Sequence, residues 1–200
     1  DNSLDAFSEA ENKGKVINGP RVDIHWSSDS VAAYDREIVV QDNGLGMELE
    51  ILQKAAKAGY SSNDPIHNLG LFGMGFNIAT ARLGDETLFL SATPDGTEWV
   101  GIKISFEQLI KEQTFSAPVV REPKKTPDES GTKIIVKSLK DGVFAEIRKK
   151  ESAIRRQLET IYTPILSRKK VSIFVQGKQL SPVHIAFGAI QGLWFVKGFE

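Results

Sequence analysis

Three glycines within six positions, Gly70, Gly73 and Gly75 of LGLFGMGFNIATARLG (residues 69–84), constrain this chain more than any other feature. A glycine inside regular structure costs about 0.5–1 kcal/mol relative to alanine, so a cluster marks backbone that must turn sharply or approach something closely. Two geometries fit. One is a tight turn ahead of a helix packed on a sheet; the other is a nest of N–H groups at a helix N-terminus, where an anion sits. The small apolar run after Gly75 reads as that helix, ending near Gly84.

The elements around this cluster alternate. Residues 22–28 and 36–42 are β-branched and aromatic runs that read as strands, the second nearly continuous in apolar residues and therefore central. Leu49, Leu52, Ala55 and Ala56 fall at helical spacing in 48–58, with Gly59 where a C-terminal glycine belongs. Residues 60–68 are polar and rich in turn formers, a loop placed to act as a lid over the glycine cluster. Residues 86–104 read as strand, turn and strand, with Pro94, Asp95 and Gly96 at the turn. SFEQLI is a short helix or turn, FSAPVV a strand, 121–130 a loose linker and 131–139 a strand. Val143, Ile147, Ile154, Leu158 and Ile161 then share one face of a long helix that ends before Pro164, and 170–180 forms a hairpin around Gln176 and Gly177.

Composition removes several classes of function. With 40% hydrophobic and 26% charged residues the chain is an ordinary globular one. No window approaches the roughly 18 apolar residues of a membrane span, and the first fifteen residues lack the apolar core of a signal peptide. The expected location is the cytoplasm, or the nucleus in a eukaryote. Zero cysteines exclude disulfides and cysteine–zinc sites. His25, His67 and His184 are too scattered for a ligand set. A formal charge of −1 gives no global case for nucleic acid. The basic run 148–157 could touch it, but Glu146, Glu151 and Glu159 interleave as on a solvated helix face.

Three more stretches can carry chemistry. In DNSLDA, Asn2 and Asp5 stand three apart and share a helix face; an amide oxygen is a hard ligand suited to Mg²⁺, and the bland alternative is the polar side of an amphipathic helix. In QDNGLGM, Asp42 ends a strand ahead of Gly44 and Gly46, which reads equally as a plain strand-to-helix turn or as a binding site. A carboxylate fixed there accepts a hydrogen bond from an exocyclic amino group, while glycines let a planar ring approach the backbone. Adenine presents that amino group and guanine a carbonyl oxygen, so Asp42 would select ATP over GTP, in a bond of about 1.5–3 kcal/mol. In SGTKIIV, Thr132 opens a strand, which threonine does for structural reasons alone.

In order, N-x-x-D-A, D-x-G-x-G, G-x-x-G-x-G-F and G-T on a strand resemble the nucleotide site of the GHKL superfamily, named for gyrase, heat-shock chaperones, histidine kinases and MutL. DNSLDA, DNGLGM and LGLFGMGF look most like its chaperone, MutL and MORC branch, and 154–180 is similar to the stretch after the ATPase core in MORC-like proteins. The resemblance implies a Bergerat-type α/β two-layer sandwich over 1–140, a mixed sheet with helices on one face, followed over 141–200 by the start of a second, transducer-like α/β domain. It implies that Asn2 coordinates Mg²⁺ on the phosphates, with Asp5 and Ala6 beside base and sugar. Asp42, Gly44, Gly46 and Met47 would meet adenine, supported by Thr132. Gly70, Gly73, Met74, Gly75 and Phe76 would offer N–H groups to phosphate, and residues 59–72, Ser61 and Ser62 among them, would form the lid.

The activity implied is Mg²⁺-dependent ATP binding and hydrolysis that closes the lid and pairs two ATPase heads as a clamp. Hydrolysing members carry a general-base glutamate four residues before the asparagine, a position upstream of Asp1; the expectation is that the sequence starts inside a longer protein. The alternative is an ATP-sensing module that binds without hydrolysis; a histidine kinase is disfavoured, for want of preceding dimerisation helices. A lysine that reaches the terminal phosphate in relatives has Lys169, Lys170 and Lys178 as candidates.

Overall fold

The computed structural model describes residues 1–54, 74–112 and 117–183. Helix α1 (Asn2–Asn12) leads into strand β1 (Arg21–Trp26), a 3₁₀ turn at Ala33–Asp35 and strand β2 (Glu37–Asp42). Residues 49–54 are helical (α2). Then come α3 (Met74–Leu83), β3 (Gly84–Ala92), β4 (Glu98–Ser105), α4 (Phe106–Glu112), β5 (Val119–Pro123) and β6 (Gly131–Leu139). Helices α5 (Asp141–Lys149) and α6 (Glu151–Leu166) precede the hairpin β7 (Ser172–Val175) and β8 (Lys178–Gln179). Gly59 and the loop 60–68 lie outside the described residues. Among those described, no helix is long and apolar enough to cross a membrane.

The strands form one sheet in the order β5-β4-β3-β6-β2-β1-β7-β8. Among the described residues every pairing is antiparallel except β1 with β7, so the sheet is mixed, and β2 is interior as its apolar run requires. The register carries apolar rows across strands: Ile24, Val40, Ile134, Phe89 and Ile102 stand side by side on one face. That face receives the helices. Phe7 of α1 and Leu166 of α6 pack with Val22, Trp26, Ile173 and Val175; Leu52 of α2 packs with Phe89, Ile102 and Ile104; Phe144 of α5 packs with Val136 and Leu139. Full burial of each such side chain contributes about 1.5–3 kcal/mol.

The opposite face holds Val39, Leu88, Leu90, Trp99 and Ile135, among the described residues a cluster of strand residues alone. Long charged side chains roof it: Lys133 Nζ stands 4.4 Å from the Trp99 ring centroid, and Lys103 pairs with Glu86 at 2.6 Å. Both sheet edges are blunted, β5 by Arg121, Glu122 and Pro123 and β8 by its two-residue length.

Several expectations need correction. The long helix is two, because its halves serve different parts of the core: α5 drives Phe144 under Arg36, whose guanidinium lies 4.2 Å from the ring centroid, while α6 turns toward β1 and β7. The change of direction falls at Lys150 (φ −104°, ψ 12°), whose amide still bonds the Glu146 carbonyl. Ile161 points outward, 56% exposed, and Tyr162 takes the inward place with Leu158. Helix α6 also runs through Pro164 to Leu166, since burying Leu166 offsets the hydrogen bond a proline removes. The linker 121–130 begins as strand, β5 reaching Pro123. At the hairpin, Gln176 and Gly177 both take positive φ (49° and 72°), the two-residue turn that fits antiparallel strands.

Candidate functional site

Asp42 stands at the C-terminal end of β2, where the chain leaves the sheet beneath α1. The residue is 7% exposed, and the fold supplies three donors to its carboxylate. Oδ1 accepts the Gly44 amide at 2.9 Å and the Thr132 amide at 3.0 Å, and Oδ2 accepts the Ser3 hydroxyl at 2.7 Å. One carboxylate thus joins α1, the loop after β2 and the start of β6. Oδ2 keeps a lone pair that one donor does not use.

Glycine makes this crossing possible. Gly131 has φ +125°, and a Cβ there would fall 2.1 Å from the Asp42 carbonyl oxygen; at Gly46 (φ +62°) it would fall 2.1 Å from the Ala92 carbonyl oxygen. The loop is pinned further by buried Ser91, whose hydroxyl accepts the Met47 amide at 2.9 Å and donates to the Gly131 carbonyl at 2.8 Å.

Between this loop and α1 lies a cleft of about 490 Å³. Asn2, Asp5 and Ala6 line it from α1, Asp42, Gly44, Gly46 and Met47 from the strand end and loop, and Thr132 from β6. Three stretches far apart in sequence therefore meet at one opening. Met74, Gly75 and Phe76 form the first turn of α3. Ser61, Ser62, Gly70, Gly73 and the lid 59–72 lie outside the described residues, as do His67 and His184. His25 is exposed on β1.

Sequence reasoning missed Ser3 and Ser91, which orient Asp42 and the loop, and Glu9, Lys13 and Lys15, which also border the cleft. Helical spacing from Asn2 through Asp5 to Glu9 was the signal for the last group. The Lys13 ammonium, 2.5 Å from Glu9 Oε1, holds that carboxylate below its ordinary pKa through a side-chain hydrogen bond and Coulomb attraction. Lys169, Lys170 and Lys178 are not among the cleft's lining residues, and Lys170 reaches Glu11 instead at 2.6 Å. The basic run 148–157 is largely consumed within the fold: Arg148 pairs with Asp29, Lys150 with Glu146, and Arg155 donates to the carbonyls of Val175, Lys178 and Gln179.

Chemically, the cleft offers a buried anionic acceptor, glycine backbone along one wall, and a carboxamide at the helix start. A single amide oxygen suits Mg²⁺, which takes few protein ligands and its remaining oxygens from phosphate and water. Asn2, with Asp5 one turn along the same wall, fits that requirement.

Residues 1–138 match the family described as histidine kinase-, DNA gyrase B- and HSP90-like ATPase. The chain is 30% identical over 114 residues to Protein MICRORCHIDIA 7 of Arabidopsis thaliana, a match covering 54% of this chain and 16% of that protein. It is 40% identical over 68 residues to MICRORCHIDIA 3 of the same plant, covering 32% and 12%. The chain thus spans less than a fifth of the length of these relatives. Among solved structures it is similar to the Aquifex aeolicus MutL ATPase domain complexed with ADP, at 18% identity and a TM-score of 0.47, over 92% of this chain and 60% of that one.

Proposed function

The chain belongs to the histidine kinase-, DNA gyrase B- and HSP90-like ATPase family, and we propose that its cleft binds ATP with Mg²⁺ and serves an ATP-hydrolysing clamp. One observation carries this reading: Asn2, Asp5, Ala6, Asp42, Gly44, Gly46, Met47 and Thr132, picked from three separate motifs, line a single opening.

Asp42 is the selective element. Its Oδ1 is saturated by two amides, so the carboxylate is fixed, and Oδ2 accepts the adenine amino group beside Ser3. A guanine carbonyl at the same place meets a carboxylate and is refused. Gly46 and Met47 flank the ring. Asn2 holds the Mg²⁺, which neutralises phosphate charge when bound. Met74, Gly75 and Phe76, in the first turn of α3, offer N–H groups and the positive end of the helix to the phosphates, together with Gly73 ahead of them in sequence.

Hydrolysis, closure of the segment 59–72 and nucleotide-dependent pairing of two heads belong to the same proposal, as does a cytoplasmic or nuclear location. So does a division at residue 140, with 141–200 beginning a transducer-like unit tied to the first by the β1–β7 pairing. Calorimetric titration of ATP with Mg²⁺ tests the reading, with GTP and the Asp42→Asn chain as controls. Saturable ATP binding, absent for GTP and weakened at least about a hundredfold by Asp42→Asn, is expected, since a donor–donor contact replaces a charged hydrogen bond. Equal affinities for ATP and GTP would refute it.

A further inference from the structure

Helix α1 lines two openings. Asn2, Asp5, Ala6, Glu9 and Lys13 face the cleft described above, whereas Leu4, Phe7, Ser8 and Glu11 line a second cavity of about 420 Å³ behind the helix. Its walls are apolar, with Leu4 and Ile17 facing Ile165 and Val171 from the end of α6 and the turn beyond it. Val16 at the margin is 82% exposed. Phe7 is 6% exposed, and its ring lies 3.5 Å from the point a Cβ on Gly44 would occupy, so this ring separates the cavity from the loop after Asp42.

The mouth is basic. Lys15, Arg168 and Lys170 stand around it against one carboxylate, Glu11. Lys170 and Glu11 bond each other at 2.6 Å. Among the described residues, the side chains of Lys15 and Arg168 have no hydrogen bond or ion pair. An apolar hollow under two uncommitted cations is complementary to a guest with an apolar body and one anionic end. The volume lies within the range of small-molecule sites, about 300–1,000 Å³.

We propose that this cavity is a second binding site, specific for a small amphiphilic anion such as a medium-chain carboxylate. Its chain lies between α1 and the end of α6, and its head group is held by Lys15 and Arg168. The planar guanidinium suits a carboxylate in particular, taking both oxygens at once.

The test uses the 200-residue chain without nucleotide, so its result does not depend on what the first cleft holds. Anilinonaphthalene sulfonate, an apolar anion that fluoresces in apolar surroundings, is titrated in and then displaced by decanoate or decanol. One saturable site is expected, with decanoate the better competitor. Arg168→Glu, at an exposed position, weakens decanoate about tenfold and leaves decanol unchanged. Ser8→Trp, exposed on the cavity side of α1, fills the space and weakens every ligand. Decanol competing as well as decanoate, or unchanged probe affinity in both variants, overturns the proposal.

Discussion

Replacing Gly131 by alanine isolates the contact on which the site is built. The new Cβ lands 2.1 Å from the Asp42 carbonyl oxygen, 2.8 Å from its carbon and 2.9 Å from Oδ1. Two of those atoms are backbone, so no side-chain rotation relieves the clash. An ordinary contact of about 3.5 Å requires β2 and β6 to part by about 1.4 Å. That movement breaks the Thr132 amide's 3.0 Å bond to Asp42 and strains the 2.8 Å bond from Ser91 to the Gly131 carbonyl. A bond to a charged acceptor is worth about 1.5–3 kcal/mol and a neutral one about 0.5–1.5. A positive φ of +125° adds about 1–2 kcal/mol for a residue with a side chain. The sum is about 3–6 kcal/mol, which in a domain of this size lowers Tm by about 10–20 °C. Gly177→Ala is the control: its φ of +72° gives the same kind of strain, but nothing lies within 4 Å of the added atom, so only about 1–2 kcal/mol is lost. Thermal and guanidinium unfolding of both variants measure the difference. Equal destabilisation would show that the close approach of β2 to β6 has no energetic weight.

Other parts of the fold give equally definite expectations. Glu129 accepts the Trp99 indole N–H and the Lys125 amide, both at 3.0 Å, and these bonds hold its carboxyl below the ordinary carboxylate range. The stability it contributes is present above the unfolded value of about 4.3 and lost as pH falls through the lower folded value. Thermal melts of the native chain and Glu129→Gln should therefore differ near neutral pH and converge in acid; a constant gap would contradict this. On α6, Ile161→Lys should change stability by less than about 0.5 kcal/mol while Leu166→Ala costs about 2–5 kcal/mol, as denaturant midpoints will show. A reversed order would mean that the helix presents the other face.

The sequence carried the alternation of elements, which is local, and its motifs named eight of the residues that line the cleft. Gly131–Leu139 is bounded by a glycine and a change of period, and the turn at Gln176 and Gly177 has its own backbone chemistry. Asp42, Gly44 and Gly46 declared a strand end at which something closely approaches. Ser3 and Ser91 were not legible: a serine on a helix or strand has no distinguishing neighbours in sequence, and their partners stand 39 and 40 positions away. Ile161 misled for a related reason. Helical spacing permits Ile161 or Tyr162 to follow Leu158 inward, and only the sheet decides; Tyr162 turns in and its hydroxyl reaches Asp1 at 3.1 Å. Pro164 inside a helix and the bend at Lys150 likewise follow from what lies beneath them.

The parallel pairing of β1 with β7 sets the order in which the sheet can assemble. Arg21 of β1 is matched with Ser172 of β7, 151 positions on, whereas Ser91 and Val100 close the β3–β4 hairpin after nine. Chain entropy makes the longer closure roughly 2.5 kcal/mol more costly, so β7, carrying β8 with it, is the last to join. Until it does, β1 is an open edge whose Val22, Ile24 and Trp26 have lost part of their cover. A nascent chain, or one severed near residue 140, presents that edge to any other strand, and its hazard is self-association through β1.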